Sequence, residues 1–134
     1  MQSNRLPVLL LILVLASCAH VSGRSRGGPI VDTEDTLFPE LVRRTEARIG
    51  VLRVLIYRHV RSHNLLPERL EPLVEPLKGE GVTLMDAWGR RMAYSRTEAG
   101  YEIRSAGKDG LMKSDDDIVG TGDGRNMPQY DLFD

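Results

Sequence analysis

From residue 36 to about residue 63, apolar side chains recur mostly at spacings of three and four: Leu37, Leu41, Ile49, Leu52, Leu55, Ile56 and Val60. Arg43, Arg44, Glu46, Arg53, Arg58 and Arg61 fall largely on the other face. This period specifies one amphipathic helix, about 40 Å long at 1.5 Å per residue. Such a rod has an apolar stripe to bury and cannot bury it on itself, so another part of the chain must provide a second layer. Asp32, Thr33 and Asp35 each offer a capping oxygen at its start, Pro39 is tolerated in its first turn, and Asn64 supplies a stop.

Pro67 begins a short second helical segment through Leu70, Val74 and Leu77, which Pro72 and Pro76 should break or kink. Lys78-Gly79-Glu80-Gly81 ends the helical pattern. Two β-type runs follow, 91–96 and 101–105, joined by Thr97-Glu98-Ala99-Gly100, a connection that suits a hairpin. The expected fold class is therefore α+β: a long N-terminal helix on a small antiparallel sheet, followed by a glycine- and aspartate-rich loop. Aromatic residues make up only 5% of the chain, so the core must rest on Leu, Val and Ile. No internal repeat is present.

The N-terminus carries an address. Arg5 precedes a wholly apolar run over residues 8–16, and small residues then lead to Cys18, the only cysteine. A basic start, an apolar stretch of about ten residues and a small-residue exit describe a secretory signal, because a membrane span needs roughly 20 residues. Leu15-Ala16-Ser17-Cys18 resembles the bacterial lipobox, which implies cleavage before Cys18 and acylation (palmitate and related chains) of that residue. Two or more acyl chains anchor a protein firmly. Ala19 after the cysteine implies the outer rather than the inner membrane. Residues 20–32 are rich in Gly, Ser and Arg and read as a flexible tether. The expected organisation is a signal peptide over 1–17, an acylated Cys18 and tether over 18–34, a domain over 35–122 and a C-terminal tail over 123–134. The net charge of −1 implies neither nucleic acid nor anionic lipid as a partner.

Asp86-Ala87-Trp88-Gly89-Arg90 with Ala93-Tyr94 resembles the D-P-W-G-x-P-Y-x-Y segment of the major pseudopilin of type II secretion, protein G. Tyr101-Glu102-Ile103-Arg104-Ser105-Ala106-Gly107-Lys108-Asp109-Gly110, then Asp116-Asp117-Ile118, resembles that family's Y-x-[IL]-x-S-x-G-x-D-G…D-D-I loop. The resemblance covers about residues 37–120. Ala87 and Arg91 stand where the family usually has prolines, and the prepilin-peptidase motif with its long apolar filament helix is missing. The resemblance thus implies a pseudopilin-like domain carried on a lipid anchor, without the filament-forming half.

The stretch 105–118 contains Asp109, Asp115, Asp116 and Asp117, with Gly107 and Gly110 permitting tight bends. Ca²⁺ takes six to eight oxygen ligands, mixing carboxylates and backbone carbonyls, which such paired bends supply. A solvated acidic turn is the competing reading of the same residues. The resemblance implies Ca²⁺ here, with side-chain ligands from Asp109 and Asp116, a further one from Asp117, and carbonyls from Ala106 and Ser114. Asp115 is left to solvent. An EF-hand started at Asp115 fails, because Val119 and Asn126 stand where an oxygen ligand and the Glu belong.

Other candidates carry less. His59 and His63, at i and i+4, have no third zinc ligand nearby and read as two partly solvated helix histidines. Trp88, beside Gly89, is expected to plug the core, both residues having structural roles. The arginines of the long helix, Arg48 included, read as a solvated face. No nucleophile–base pair and no glycine-rich phosphate loop is present, so neither catalysis nor a small-molecule substrate is expected; a metal-dependent hydrolase is a third reading of the same carboxylates. The expected function is that of an envelope lipoprotein, facing the periplasm or the surface. Its Ca²⁺-stabilised pseudopilin-like domain would interact with secretion-system or other envelope proteins. The alternative is a free-standing Ca²⁺-binding surface module unrelated to secretion.

Overall fold

The computed structural model describes residues 33–129. These belong to the unit Val31–Asp134. The expected signal peptide, Cys18 and nearly all of the tether lie outside the described residues. What is described is α+β: one long helix, a short broken helical segment and a three-stranded antiparallel sheet.

Helix α1 spans Thr33–His63, starting three residues earlier than the apolar period indicates. Pro39 consequently lies inside the helix rather than in its first turn, at the expense of the bond its missing N–H would have made. The stop falls where expected. Asn64 takes a left-handed φ of 57°, and its N–H donates to the Val60 carbonyl at 2.7 Å. Helix α2 is short, Glu71–Val74, and runs directly into a 3-10 segment, Glu75–Glu80. The segment predicted from Pro67 therefore begins only at Glu71, and Pro72 and Pro76 each fall in the first turn of a new short helix. Gly81, at φ 82°, closes the run.

Strands β1 (Ala93–Thr97) and β2 (Gly100–Ser105) form the expected hairpin; Thr97 pairs with Gly100, so Glu98 and Ala99 alone make the turn. A third strand, β3 (Ile118–Gly122), pairs antiparallel with β2 and was not visible in the sequence pattern. Its glycines are there for contact. A Cβ on Gly120 would lie 2.3 Å from Ile49 Cγ2 of α1, and one on Gly122 would lie 2.7 Å from the Tyr101 hydroxyl. Strand β3 thus meets the helix at Gly120, where no side chain stands between them.

Ile49, Leu52, Ile56 and Val60 of α1 pack with Leu70, Val74, Met92, Tyr101 and Ile103 to form the core. Leu52, Ile56 and Ile103 are essentially inaccessible to solvent, and burying a side chain of this kind contributes about 1.5–3 kcal/mol. Leu37 belongs to the same apolar period but remains 54% exposed. Among the described residues no helix is long and apolar enough to cross a membrane.

Candidate functional site

The 105–118 loop is held by a neighbouring turn, and that turn is organised by one buried carboxylate. Asp86 is 1% exposed. Its Oδ1 accepts the backbone N–H groups of Trp88 (3.0 Å) and Arg90 (2.8 Å), while Oδ2 accepts the Ser105 hydroxyl at 2.7 Å. Gly89, at φ 79°, provides the left-handed position that lets the chain reverse around it. From α1, Thr45 Oγ1 accepts the Ala87 N–H at 3.0 Å, and Arg48 donates to the carbonyls of Met85 and Asp86. Helix, turn and the start of the loop are therefore one hydrogen-bonded unit.

Trp88 is not the plug of the core. It is half-buried and meets Phe38 at 6.2 Å between ring centroids, while the Lys108 ammonium lies 5.5 Å from the Phe38 ring. An indole this large beside a turn finds enough surface at the end of α1, and the core proper is filled by aliphatic residues and Tyr101.

Within the loop, the two predicted bends do meet. The Asp109 N–H donates to Asp116 Oδ2 at 2.9 Å, and a Cβ on Gly107 would fall 2.2 Å from the Asp116 carbonyl oxygen. The Ser114 hydroxyl lies 2.6 Å from Asp116 Oδ1 and 2.9 Å from the Leu111 carbonyl oxygen. Asp109 Oδ1 accepts the Leu111 N–H at 2.7 Å, the Ala106 carbonyl accepts the Gly110 N–H at 3.1 Å, and the Ser114 carbonyl accepts the Asp117 N–H at 3.4 Å. Asp115 is exposed, as expected.

Asp117 is placed differently from its neighbours. Its side chain is only 3% exposed, and Oδ2 receives Arg104 Nη1 at 2.6 Å and the Lys113 N–H at 2.7 Å. Arg90 supplies a second guanidinium, donating to the carbonyls of Gly107 and Lys108. Sequence reasoning missed both arginines; only the alternation of β2, which sets Arg104 on the face away from Ile103, offered a hint. Hydrogen bonds to the charged form set the acidities. Asp116 is held below the ordinary carboxylate range by the Ser114 hydroxyl first and the Asp109 N–H next, and the Asp109 side chain adds to the effect. Asp117 is lowered chiefly by Arg104. Among the described residues no group of three or more His, Cys, Asp or Glu side chains is disposed to hold a metal ion. The oxygens of Asp109, Asp116 and Ser114 to which the sequence assigned an ion are engaged with one another and with N–H groups of the loop.

The remaining candidates are dispersed. Arg43 and Arg44 are exposed and reach Glu40, Arg48 is spent on the 85–86 carbonyls, Arg53 approaches Tyr101, and Arg61 lies 6.0 Å from the Tyr57 ring. They do not make one basic face. His59 and His63 stack with ring centroids 4.2 Å apart and planes 16° from parallel. Burial first, and the neighbouring His63 second, hold His59 below the usual imidazole value.

The fold and the loop define an α+β domain with an oxygen-rich acidic loop buttressed by a D-x-W-G turn. No protein-family model, no curated protein and no solved structure matches this chain.

Proposed function

We propose that this chain is a lipid-anchored envelope protein whose α+β domain is an interaction module stabilised by Ca²⁺ in the 105–118 loop. The observation that supports the loop reading is the closure of its two bends on each other, Asp109 N–H to Asp116 Oδ2 at 2.9 Å. In this reading Asp109 and Asp116 bind the ion with the Ala106 and Ser114 carbonyls. Asp117, engaged by Arg104, positions the second bend and is at most a distant contributor. The lipid anchor rests on the lipobox resemblance at Cys18. A role alongside type II protein secretion rests on the resemblance to the pseudopilin of that system. A free-standing surface module uses the same loop and the same anchor.

The test is a set of melting curves of the full-length protein in Ca²⁺, Mg²⁺ or chelator at fixed ionic strength. A ligand that binds only the folded state stabilises by about 2.7 kcal/mol at a hundredfold excess over Kd. Ca²⁺ should raise the melting temperature of wild type and of Asp115→Ala, and leave Asp109→Ala and Asp116→Ala nearly unmoved. An equal response in wild type and Asp109→Ala makes the loop a solvated acidic turn. For the anchor, Cys18→Ala should abolish incorporation of labelled fatty acid, and continued labelling refutes acylation at that residue.

A further inference from the structure

We infer that His59 and His63 form an open two-imidazole clamp for a first-row divalent transition metal, with Cu²⁺ the tightest-bound ion. The clamp is separate from the acidic loop. Thr45, which holds the turn beside that loop, lies 14 residues before His59 along α1, about 21 Å at 1.5 Å per residue.

Three observations carry the inference. The first is spacing: two histidines four apart in a helix project from one face, and these two rings stack at 4.2 Å between centroids. Two imidazole nitrogens bound to one ion at 2.0–2.1 Å lie at most about 4 Å apart. In the stacked arrangement the two lone pairs run parallel, so binding requires one ring to turn out of the stack until both nitrogens face one ion, which the four-residue spacing on one helix face allows. The second is the tautomer. His63 Nδ1 lies 3.1 Å from the His59 carbonyl oxygen, and a carbonyl can only accept. Nδ1 must therefore carry the hydrogen, and Nε2 is left with its lone pair outward. A backbone carbonyl holding the second ring nitrogen is the arrangement that fixes metal-binding histidines elsewhere. The third is position. His59 and His63 occupy the last turns of α1, where the unsatisfied carbonyls give the helix its negative end and favour a cation.

The charges nearby leave room for it. On a helix of 3.6 residues per turn, Arg61 projects about 160° from His59, and it is drawn toward the Tyr57 ring. His63 is exposed and His59 half-buried, so solvent reaches the clamp from one side. Two nitrogens leave positions for water, which suits the tetragonal N,O preference of Cu²⁺ and its place at the top of the divalent affinity order. The same openness leaves Zn²⁺ and Ni²⁺ weaker.

The experiment is a Cu²⁺ titration of the tag-free full-length chain, followed by calorimetry and by electron paramagnetic resonance. Wild type should bind one Cu²⁺ with hyperfine structure from two imidazole nitrogens. Loss of either ring removes the intramolecular second contact, so His59→Ala and His63→Ala should each weaken binding on the order of 100-fold. His20→Ala and Asp109→Ala should leave affinity and spectrum unchanged, and far-UV circular dichroism should show α1 intact in all four variants. Wild-type affinity in either His59→Ala or His63→Ala overturns the inference. So does a spectrum with fewer than two nitrogens, or loss of binding in Asp109→Ala.

Discussion

Removing the Asp86 carboxylate should be among the most damaging single changes this domain can suffer. The Asp86→Ala protein would leave three donors without their acceptor: the N–H groups of Trp88 and Arg90 and the Ser105 hydroxyl. Each buried donor left unsatisfied costs about 1–3 kcal/mol. The Ser105 hydroxyl can rotate, and Trp88 is only half-buried, so the three costs do not add in full. The expected loss is roughly 3–5 kcal/mol, in the range that needs a named cause. Asp86→Asn separates hydrogen bonding from mere volume. Its amide oxygen still accepts both N–H groups, and its NH₂ can donate to Ser105 Oγ, which already accepts the Gly107 N–H at 3.2 Å. Only the hydroxyl hydrogen then loses its partner, so Asp86→Asn should lose only about 1 kcal/mol. Urea denaturation of the full-length protein, followed by circular dichroism at 222 nm, reads both values from midpoints at unchanged slope. The reasoning fails if Asp86→Ala loses less than about 1 kcal/mol, or if Asn is as damaging as Ala.

Two further outcomes follow from the packing and the loop. Gly120→Ala places a methyl 2.3 Å from Ile49 Cγ2, an overpacking that should cost about 1–3 kcal/mol. Combined with Ile49→Ala, the two changes should be less damaging than their sum in a double-mutant cycle of denaturant midpoints. The folded-state acidities of Asp116 and Asp117 are lowered from 3.8. Their contribution is therefore present at neutral pH and lost as pH falls below that value toward the folded ones. Midpoints measured from pH 7 down to pH 2 should show this fall, and Arg104→Met should shrink it, because Arg104 is the first cause of the Asp117 shift.

How much of this was legible in the sequence depends on which interactions are local. Helix α1 was, because Ile49, Leu52, Ile56 and Val60 write the 3.6-residue period directly into the chain. The hairpin was, because a short turn joins β-type runs. Strand β3 was not, because the two residues that would have declared it, Gly120 and Gly122, are kept bare by Ile49 and Tyr101, about 71 and 21 positions earlier in the chain. Asp86 was visible as part of a D-x-W-G motif and as a carboxylate three residues before a glycine, which is turn chemistry. That its second oxygen reaches Ser105, at the end of β2, could not be read from any local pattern. Trp88 shows the opposite failure. Size alone suggested the core, but the residue lies at the end of the helix where Phe38 meets it.

The acidic loop shows why charge read along the chain overstates repulsion. Asp109, Asp115, Asp116 and Asp117 fall within nine residues, which suggests that a cation is needed to hold them together. In the fold, Arg104 ion-pairs with Asp117, and Arg90 caps the Gly107 and Lys108 carbonyls. Two guanidinium groups from outside the loop therefore provide counter-charge, Arg104 sharing its own between Asp117 and Glu102. A Ca²⁺ ion bound at Asp109 and Asp116 would gain from oxygen geometry rather than from relieving net repulsion. Affinity follows the charge count and rigidity of the ligand set. With one carboxylate committed to Arg104 and another exposed, the proposed site belongs at the weak end, with Kd on the order of 10⁻⁴–10⁻³ M as in extracellular modules. Arg104→Met, by releasing Asp117 to the ion, should tighten Ca²⁺ binding even as it weakens the metal-free fold. A variant that loses both would mean that Arg104 holds the cage in shape rather than competing for it.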